Sequence, residues 1–269
     1  MATAINQPAA DSRPVQFAQL SPAVRIAYTD SAPRSSRPVL LLIHGSPGSG
    51  EVLDRLAELL APRYRVIVPD LPGFGASTRN VPDYSFRAHA QYALQMLDRL
   101  AIPDAHWLGF SMGGGVVLSV ADLAPKRVRS LTMLSAIGVQ EHELTGNYFV
   151  NRAIHGFQLA GLWAIKHGVP HFGLFDRGMF SVEYARNFFD SDQRPLRRVL
   201  ETYLGPMLIV HGTRDMLVPI AAAREHRRLT PQSELVEFDG SHFMAFESPE
   251  RIAPPIVSFL DRVDSAALR

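Results

Sequence analysis

The chain of 269 residues contains no cysteine. Disulfides, thiolate zinc sites and a cysteine nucleophile are thereby excluded. An excess of charge is missing as well: 27 Lys and Arg stand against 26 Asp and Glu, a formal charge of +1. No global field draws such a chain to nucleic acid or to acidic membranes. Long apolar runs are also absent. The longest stretch free of Asp, Glu, Lys and Arg, 105–121, holds two serines, a histidine and four glycines, and makes a poor membrane span. Residues 1–14 lack the apolar core of a secretory signal and are interrupted by Asp11 and Arg13, so they read as a flexible leader, and the default address is the cytoplasm. The histidines show no HExxH or comparable ligand spacing, so no metal is expected.

What is present is the composition of an ordinary globule, 46% hydrophobic and 20% charged. Short β-branched or leucine-rich runs at 24–28, 39–43, 65–68, 106–110, 128–134, 207–210 and 235–238 predict strands. Several are apolar throughout, as in strands covered on both faces. Amphipathic stretches at 51–60, 86–100, 112–123, 220–229 and 249–260 predict the helices between them. Strand followed by helix, repeated, argues for a mainly parallel α/β sheet. Residues 15–20 and 24–28 flank Ser21-Pro22 and predict a leading antiparallel hairpin. Pro254-Pro255 should kink the last helix or make it start afresh. The alternation breaks once. Residues 138–204 show no strand and are too many for a structureless loop, which predicts a helical insertion between core segments 15–137 and 205–269.

Gly109-Phe110-Ser111-Met112-Gly113 joins the strand at 106–110 to the helix at 112–123. The pattern GxSxG, with a legible strand before and helix after, is a nucleophile elbow. Glycine stands two residues either side of the serine because a sharp reversal leaves no room for side chains. A serine hydroxyl needs a base, and the base an orienting acid. Of ten histidines, His242 lies in a loop after a strand and before the last helix. Asp215 follows directly on the end of the strand at 207–210, where α/β sheets carry their chemistry. The chain order Ser111, Asp215, His242 is that of this elbow's usual triad. Gly45-Ser46-Pro47-Gly48 lacks the lysine of a P-loop, which argues against phosphate binding.

With His44-Gly45-Ser46-Pro47-Gly48, Asp70-Leu71-Pro72-Gly73-Phe74-Gly75, the elbow, His211-Gly212-x-x-Asp215-x-x-Val218-Pro219 and Ser241-His242, the chain resembles the α/β-hydrolase superfamily. It is similar to the serine-nucleophile members with a helical cap, over nearly everything after Val15. The resemblance implies an α/β-hydrolase fold with a mostly parallel eight-stranded sheet and a cap over 138–204. It implies Ser111, Asp215 and His242 as catalytic residues, and the backbone N–H groups of Ser46 and Met112 as the oxyanion hole. His44 and Asp70 take structural roles in that comparison. Ser241 departs from it, since relatives usually carry Gly before the histidine.

A serine at the elbow argues against the epoxide opening and halide displacement of relatives with Asp there, because water could not release a seryl ether. An acyl-enzyme is the natural intermediate, needing no metal or organic cofactor, with a small-molecule ester and water as the partners, no nucleic acid, and a monomer or homodimer as the assembly. The aromatic inventory of 138–204 (Phe149, Phe157, Trp163, Phe172, Phe175, Phe180, Phe188, Phe189) favours an apolar acyl or aromatic group. Phe110, Phe149, Trp163 and Phe243 are the residues expected against it. Glu141, Glu143 and Glu183 could bind a substrate ammonium, but nothing in the sequence separates them from ordinary surface acids. The reading is therefore a serine carboxylic-ester hydrolase, with lactones among its candidate substrates. Its alternatives are a carbon–carbon bond hydrolase of the meta-cleavage type, for which only Arg186 offers a partner to a dienolate, and a ligand receptor with vestigial turnover.

Overall fold

A computed structural model describes residues 14–168, 170 and 181–267. Eight strands form one sheet: β1 (Gln16–Ser21), β2 (Val24–Asp30), β3 (Val39–Ile43), β4 (Arg65–Pro69), β5 (Ala105–Phe110), β6 (Val128–Leu134), β7 (Met207–Gly212) and β8 (Glu234–Phe238), in the order β1-β2-β4-β3-β5-β6-β7-β8. β1 pairs antiparallel with β2, and β2 with β4; every other pairing is parallel. The leading hairpin and the parallel core read from the sequence are both present.

Alternation along the central strands divides the core. Leu41 and Ile43 of β3, Trp107 of β5 and Ile209 of β7 face one side. Their neighbours Leu40, Leu42, Leu108 and Val210 face the other, as a period of two requires. The first side is covered by α2 (Phe86–Arg99), α3 (Gly113–Leu123), α6 (Arg194–Thr202) and α7 (Ile220–Leu229), the second by α1 (Asp54–Leu60), the short α8 (Met244–Glu247) and α9 (Pro249–Ala267). Covered on both faces, β5 and β7 bury every residue, which is why, apart from His106 and His211, they read as apolar runs.

After β3 the chain passes to α1 on one face, and after β5 to α3 on the other. The loops leaving these neighbouring strands therefore diverge and open a crevice beyond their carboxyl ends. The insertion rises between β6 and β7. It contains α4 (Tyr148–Gly168), α5 (Val182–Asp190) and α6, with no strand among its described residues. It is fastened to the 81–86 loop: Asn187 Nδ2 donates to the Tyr84 carbonyl at 2.9 Å, Arg186 to the Pro82 carbonyl at 2.7 Å, and the Phe86 N–H to Ser191 Oγ at 3.2 Å.

Of the two outcomes expected at Pro254-Pro255, a fresh start is not found: α9 runs through both prolines. The prolines remove amide donors to the carbonyls of Glu250 and Arg251, two exposed residues of the first turn whose carbonyls water can serve. Ile252, Ile256, Phe259 and Leu260 keep the helix seated on the core. The expected leader, 1–14, lies outside the described residues but for its last position.

Candidate active site

Ser111 sits at the divergence of the two loops with φ +54°, a left-handed conformation that a non-glycine residue adopts only when its surroundings enforce it. They do so through the backbone. The Ser111 N–H donates to the Leu134 carbonyl at 3.0 Å, and the Ser111 carbonyl accepts from Gly114 and Ile137 at 3.0 and 3.1 Å. A Cβ on Gly109 would stand 2.4 Å from the Gly113 carbonyl oxygen, and one on Gly113 2.3 Å from that of Ile43. Both flanking glycines are thus required by main-chain approach.

His242 and Asp215 reach Ser111 from the loops after β8 and β7. Those loops are stitched together: the Thr213 N–H donates to the Phe238 carbonyl at 2.7 Å and the Arg214 N–H to the Gly240 carbonyl at 3.0 Å. His242 Nε2 lies 3.0 Å from Ser111 Oγ, and His242 Nδ1 lies 2.7 Å from Asp215 Oδ2. A carboxylate only accepts, so Nδ1 carries the proton and Nε2 is free to accept from the serine. Asp215 Oδ1 accepts from the N–H groups of Leu217 and Val218 at 2.9 and 2.8 Å. His211 Nε2 stands 3.4 Å from Asp215 Oδ2 while donating to the Val218 carbonyl at 2.8 Å. Burial by itself would raise the Asp215 carboxyl, but the hydrogen bonds from His211, His242 and the Val218 N–H outweigh it and hold the group far below the usual carboxylate range.

The departure at Ser241 has its own support. Ser241 Oγ donates to Glu247 Oε2 at 2.8 Å and accepts from the Phe243 N–H at 3.1 Å, so the side chain fixes the turn that carries His242. Among the described residues, neither the Ser46 nor the Met112 N–H has a hydrogen-bond acceptor. Both residues line the cavity beside Ser111. Gly45 brings the first loop in close, since a Cβ there would be 2.9 Å from Ser111 Cβ. His44 accepts from the Leu71 N–H at 3.0 Å through Nε2, and Asp70 accepts from the N–H groups of Gly50 and Ala76, each at 2.8 Å. Each of them ties neighbouring loops together, away from Ser111.

The cavity over Ser111 measures about 530 Å³. Phe110 and Phe243 line it as expected, but Phe149 and Trp163 do not. They lie on the outer face of α4, 73% and 57% exposed, because that helix turns Asn151, His155 and Leu162 inward instead. The aromatic wall comes from Tyr184 and Phe188, one turn apart on α5, and from Phe246. Glu143, His155, Gln193 and Leu217 also line the cavity; no spacing in the sequence links the first three, which only the insertion's tertiary packing brings together. Arg186 is engaged elsewhere, with the Pro82 carbonyl and Asp190. Phe172, Phe175 and Phe180 lie outside the described residues. Among those described, no group of three or more His, Asp or Glu is placed to hold a metal ion, and no helix is long and apolar enough to cross a membrane.

Comparison with known proteins agrees with this architecture. The chain is 32% identical over 239 residues to the dihydrolipoyllysine-residue acetyltransferase component of the acetoin cleaving system of Pseudomonas putida, a match spanning 82% of this chain and 63% of that protein. It is 26% identical over 258 residues to a 2-hydroxymuconate semialdehyde hydrolase of a Pseudomonas species, covering 85% of this chain and 89% of that one. A thermophilic esterase from Thermogutta terrifontis superposes with a TM-score of 0.74 at 21% identity, over 89% of this chain and 94% of that chain. The sequence profile described as the alpha/beta hydrolase fold matches residues 38–158 and 159–249, and on that match the chain belongs to the α/β-hydrolase family.

Proposed function

We propose that this hydrolase cleaves carboxylic esters of small to medium size, lactones included, through an acyl-enzyme on Ser111. The observation that carries the reading is the hydrogen-bonded line from Ser111 Oγ through His242 to Asp215, 3.0 and 2.7 Å long, at the base of a largely apolar cavity. In this reading His242 Nε2 takes the hydroxyl proton as Ser111 Oγ attacks the ester carbonyl, then returns it to the leaving alcohol. Water enters the same cycle to release the acid. The N–H groups of Ser46 and Met112 receive the oxyanion, and the 138–204 insertion acts as the cap that closes the cavity. Charge on that oxygen appears only in the transition state, so prearranged donors lower the barrier without holding the substrate more tightly.

A fluorophosphonate probe is expected to label Ser111 stoichiometrically, and short p-nitrophenyl esters to turn over. Labelling with turnover below about one per minute, far under the usual enzymatic range, would overturn the ester reading in favour of a ligand receptor. The 2-hydroxymuconate semialdehyde hydrolase relative carries the second reading, carbon–carbon bond hydrolysis on the same residues. Cleavage of a dienoic ring-fission product far faster than any ester would establish it.

The proposed oxyanion donor at Ser46 belongs to the main chain, and Ser46 Oγ is buried with no hydrogen-bond partner among the described residues. Ser46→Ala is therefore expected to keep kcat/KM for p-nitrophenyl acetate within about threefold, whereas loss of a true oxyanion donor costs about 10²–10³. A loss of the latter size would assign the hydroxyl itself to the reaction.

A further inference from the structure

The cavity wall formed by the insertion carries polar groups that neither ester cleavage nor the fold accounts for. His155 and Gln193 are 8% and 3% exposed, yet His155 Nδ1 and Gln193 Oε1 have no hydrogen-bond partner among the described residues. Both residues line the cavity that contains Ser111. Buried polar atoms are rarely left unpaired, and each such atom in a native structure calls for an explanation.

Their chemistry defines that partner. His155 Nε2 lies 3.3 Å from Glu143 Oε1. Burial by itself would raise the Glu143 carboxyl, but hydrogen bonds from His155, Gln140 and Asn151 more than offset it, so the group is held as an anion. An anion only accepts, so His155 Nε2 is the donor, and in the neutral imidazole Nδ1 offers a lone pair. The ring is held in that orientation by stacking on Phe188, with centroids 5.4 Å apart and planes at 23°. Gln193 Oε1 is a second acceptor, and the Nε2 of the same amide, also without a partner among the described residues, sets a donor beside it. Among the described lining residues Glu143 is the one carboxylate, and none is a lysine or arginine. Two unpaired acceptors and an anion, set in a wall of Phe110, Phe188 and Phe243, suit a hydrogen-bond donor and repel a negative group.

We propose that Glu143, His155 and Gln193 form a polar subsite that receives a hydroxyl or ammonium substituent of the substrate, His155 Nδ1 and Gln193 Oε1 accepting from it. The proposal rests on the ester-hydrolase reading and names its substrate class: esters bearing a hydrogen-bond donor away from the scissile carbonyl, and not esters bearing a second carboxylate. The hydroxyl and the ammonium share the recognition chemistry, and separate arms of the test tell them apart.

The test uses p-nitrophenyl esters of ω-hydroxy, ω-amino and ω-carboxy acids of four to eight carbons, each beside the alkanoate with a methyl in place of the polar group. A parallel series places the same groups on the alcohol. The expected result is a kcat/KM at least about tenfold higher for the hydroxyl or ammonium ester than for its methyl counterpart at one chain length, and lower for the carboxylate. His155→Phe keeps the stack on Phe188 and removes the acceptor; it should collapse that ratio toward one, with circular dichroism reporting the fold. Glu143→Gln should relieve the discrimination against the carboxylate about tenfold. Calorimetric binding of the corresponding methyl esters to Ser111→Ala protein reads the same preference without turnover. Failure of every ester to react would thus sink the ester reading while the affinities still decide the subsite. No preference for a donor at any length on either side, or a preference that survives in both His155→Phe and Gln193→Leu, overturns the proposal.

Discussion

Asp215→Asn is expected to lower kcat on p-nitrophenyl esters by about 10⁴-fold, the scale on which a triad fails when its acid loses its charge, with little change in fold. The geometry gives the reason. Asp215 Oδ1 is committed to the N–H groups of Leu217 and Val218, so an asparagine would keep its oxygen there and turn its amide toward His242. An NH₂ group facing Nδ1 makes that nitrogen the acceptor and moves the imidazole proton to Nε2. Nε2 would then point a proton at Ser111 Oγ and could no longer accept one. The amide would also meet the His211 Nε2–H, now 3.4 Å from Asp215 Oδ2, but that proton retains the Val218 carbonyl at 2.8 Å. The loop should therefore survive. Fluorophosphonate labelling should slow by a similar factor, because it needs the same proton transfer. A variant within tenfold of the parent would place the orienting acid elsewhere. Asp239 is a weak substitute, since its side chain is 75% exposed and paired with Arg214 at 2.7 Å.

How much of this was legible in the sequence follows from how local each feature is. The elbow is a five-residue pattern whose glycines answer contacts made almost wholly within the turn and with the adjacent strand β3, so the letters carry the geometry. The strands of the central sheet are legible because burial on both faces leaves them mostly apolar. β8 is less so: as an edge strand it exposes Glu234 and Glu237. The cavity wall is a different matter. Phe149 and Trp163 are as aromatic as Tyr184 and Phe188, and which pair turns inward depends on how α4 and α5 lean on the core, a tertiary outcome that composition does not encode. Glu143, like Glu141 and Glu183, looks in sequence like an ordinary surface acid of the insertion. In the structure Glu141 pairs with Arg197 at the surface and Glu183 with Lys166, while Glu143 alone lines the cavity.

A large loss of stability on mild acidification is the second expectation, and it arises from histidines that do no chemistry. His89 and His226 are wholly buried, and among the described residues neither ring nitrogen of either has a hydrogen-bond partner. Burial, reinforced by His44, pushes His89 down to about 3; burial, reinforced by His211 and His142 and partly opposed by Glu225, pushes His226 down to about 3. In the unfolded chain a histidine titrates near 6.5. Below that pH the unfolded state binds a proton that the folded state refuses, so stability falls as pH drops, and the loss levels off only near 3, where the folded form also protonates. Each group then removes about 1.4 kcal/mol per pH unit, or about 2 kcal/mol between pH 7.5 and 5. Asp215 adds nothing in that window, because its lowered carboxyl matters only once unfolded aspartates begin to protonate. His44 and His106 are shifted in the same downward direction by burial, so they deepen the trend. Urea unfolding at the two pH values should show a difference of at least about 4 kcal/mol from His89 and His226 together. His89→Leu and His226→Leu should each shrink that difference by about 2 kcal/mol, whatever each does to stability at pH 7.5, since packing losses cancel in the comparison. A variant with the parent's full pH difference would mean that its histidine finds a proton acceptor or water in the folded state, and that the acid sensitivity of this fold has another source.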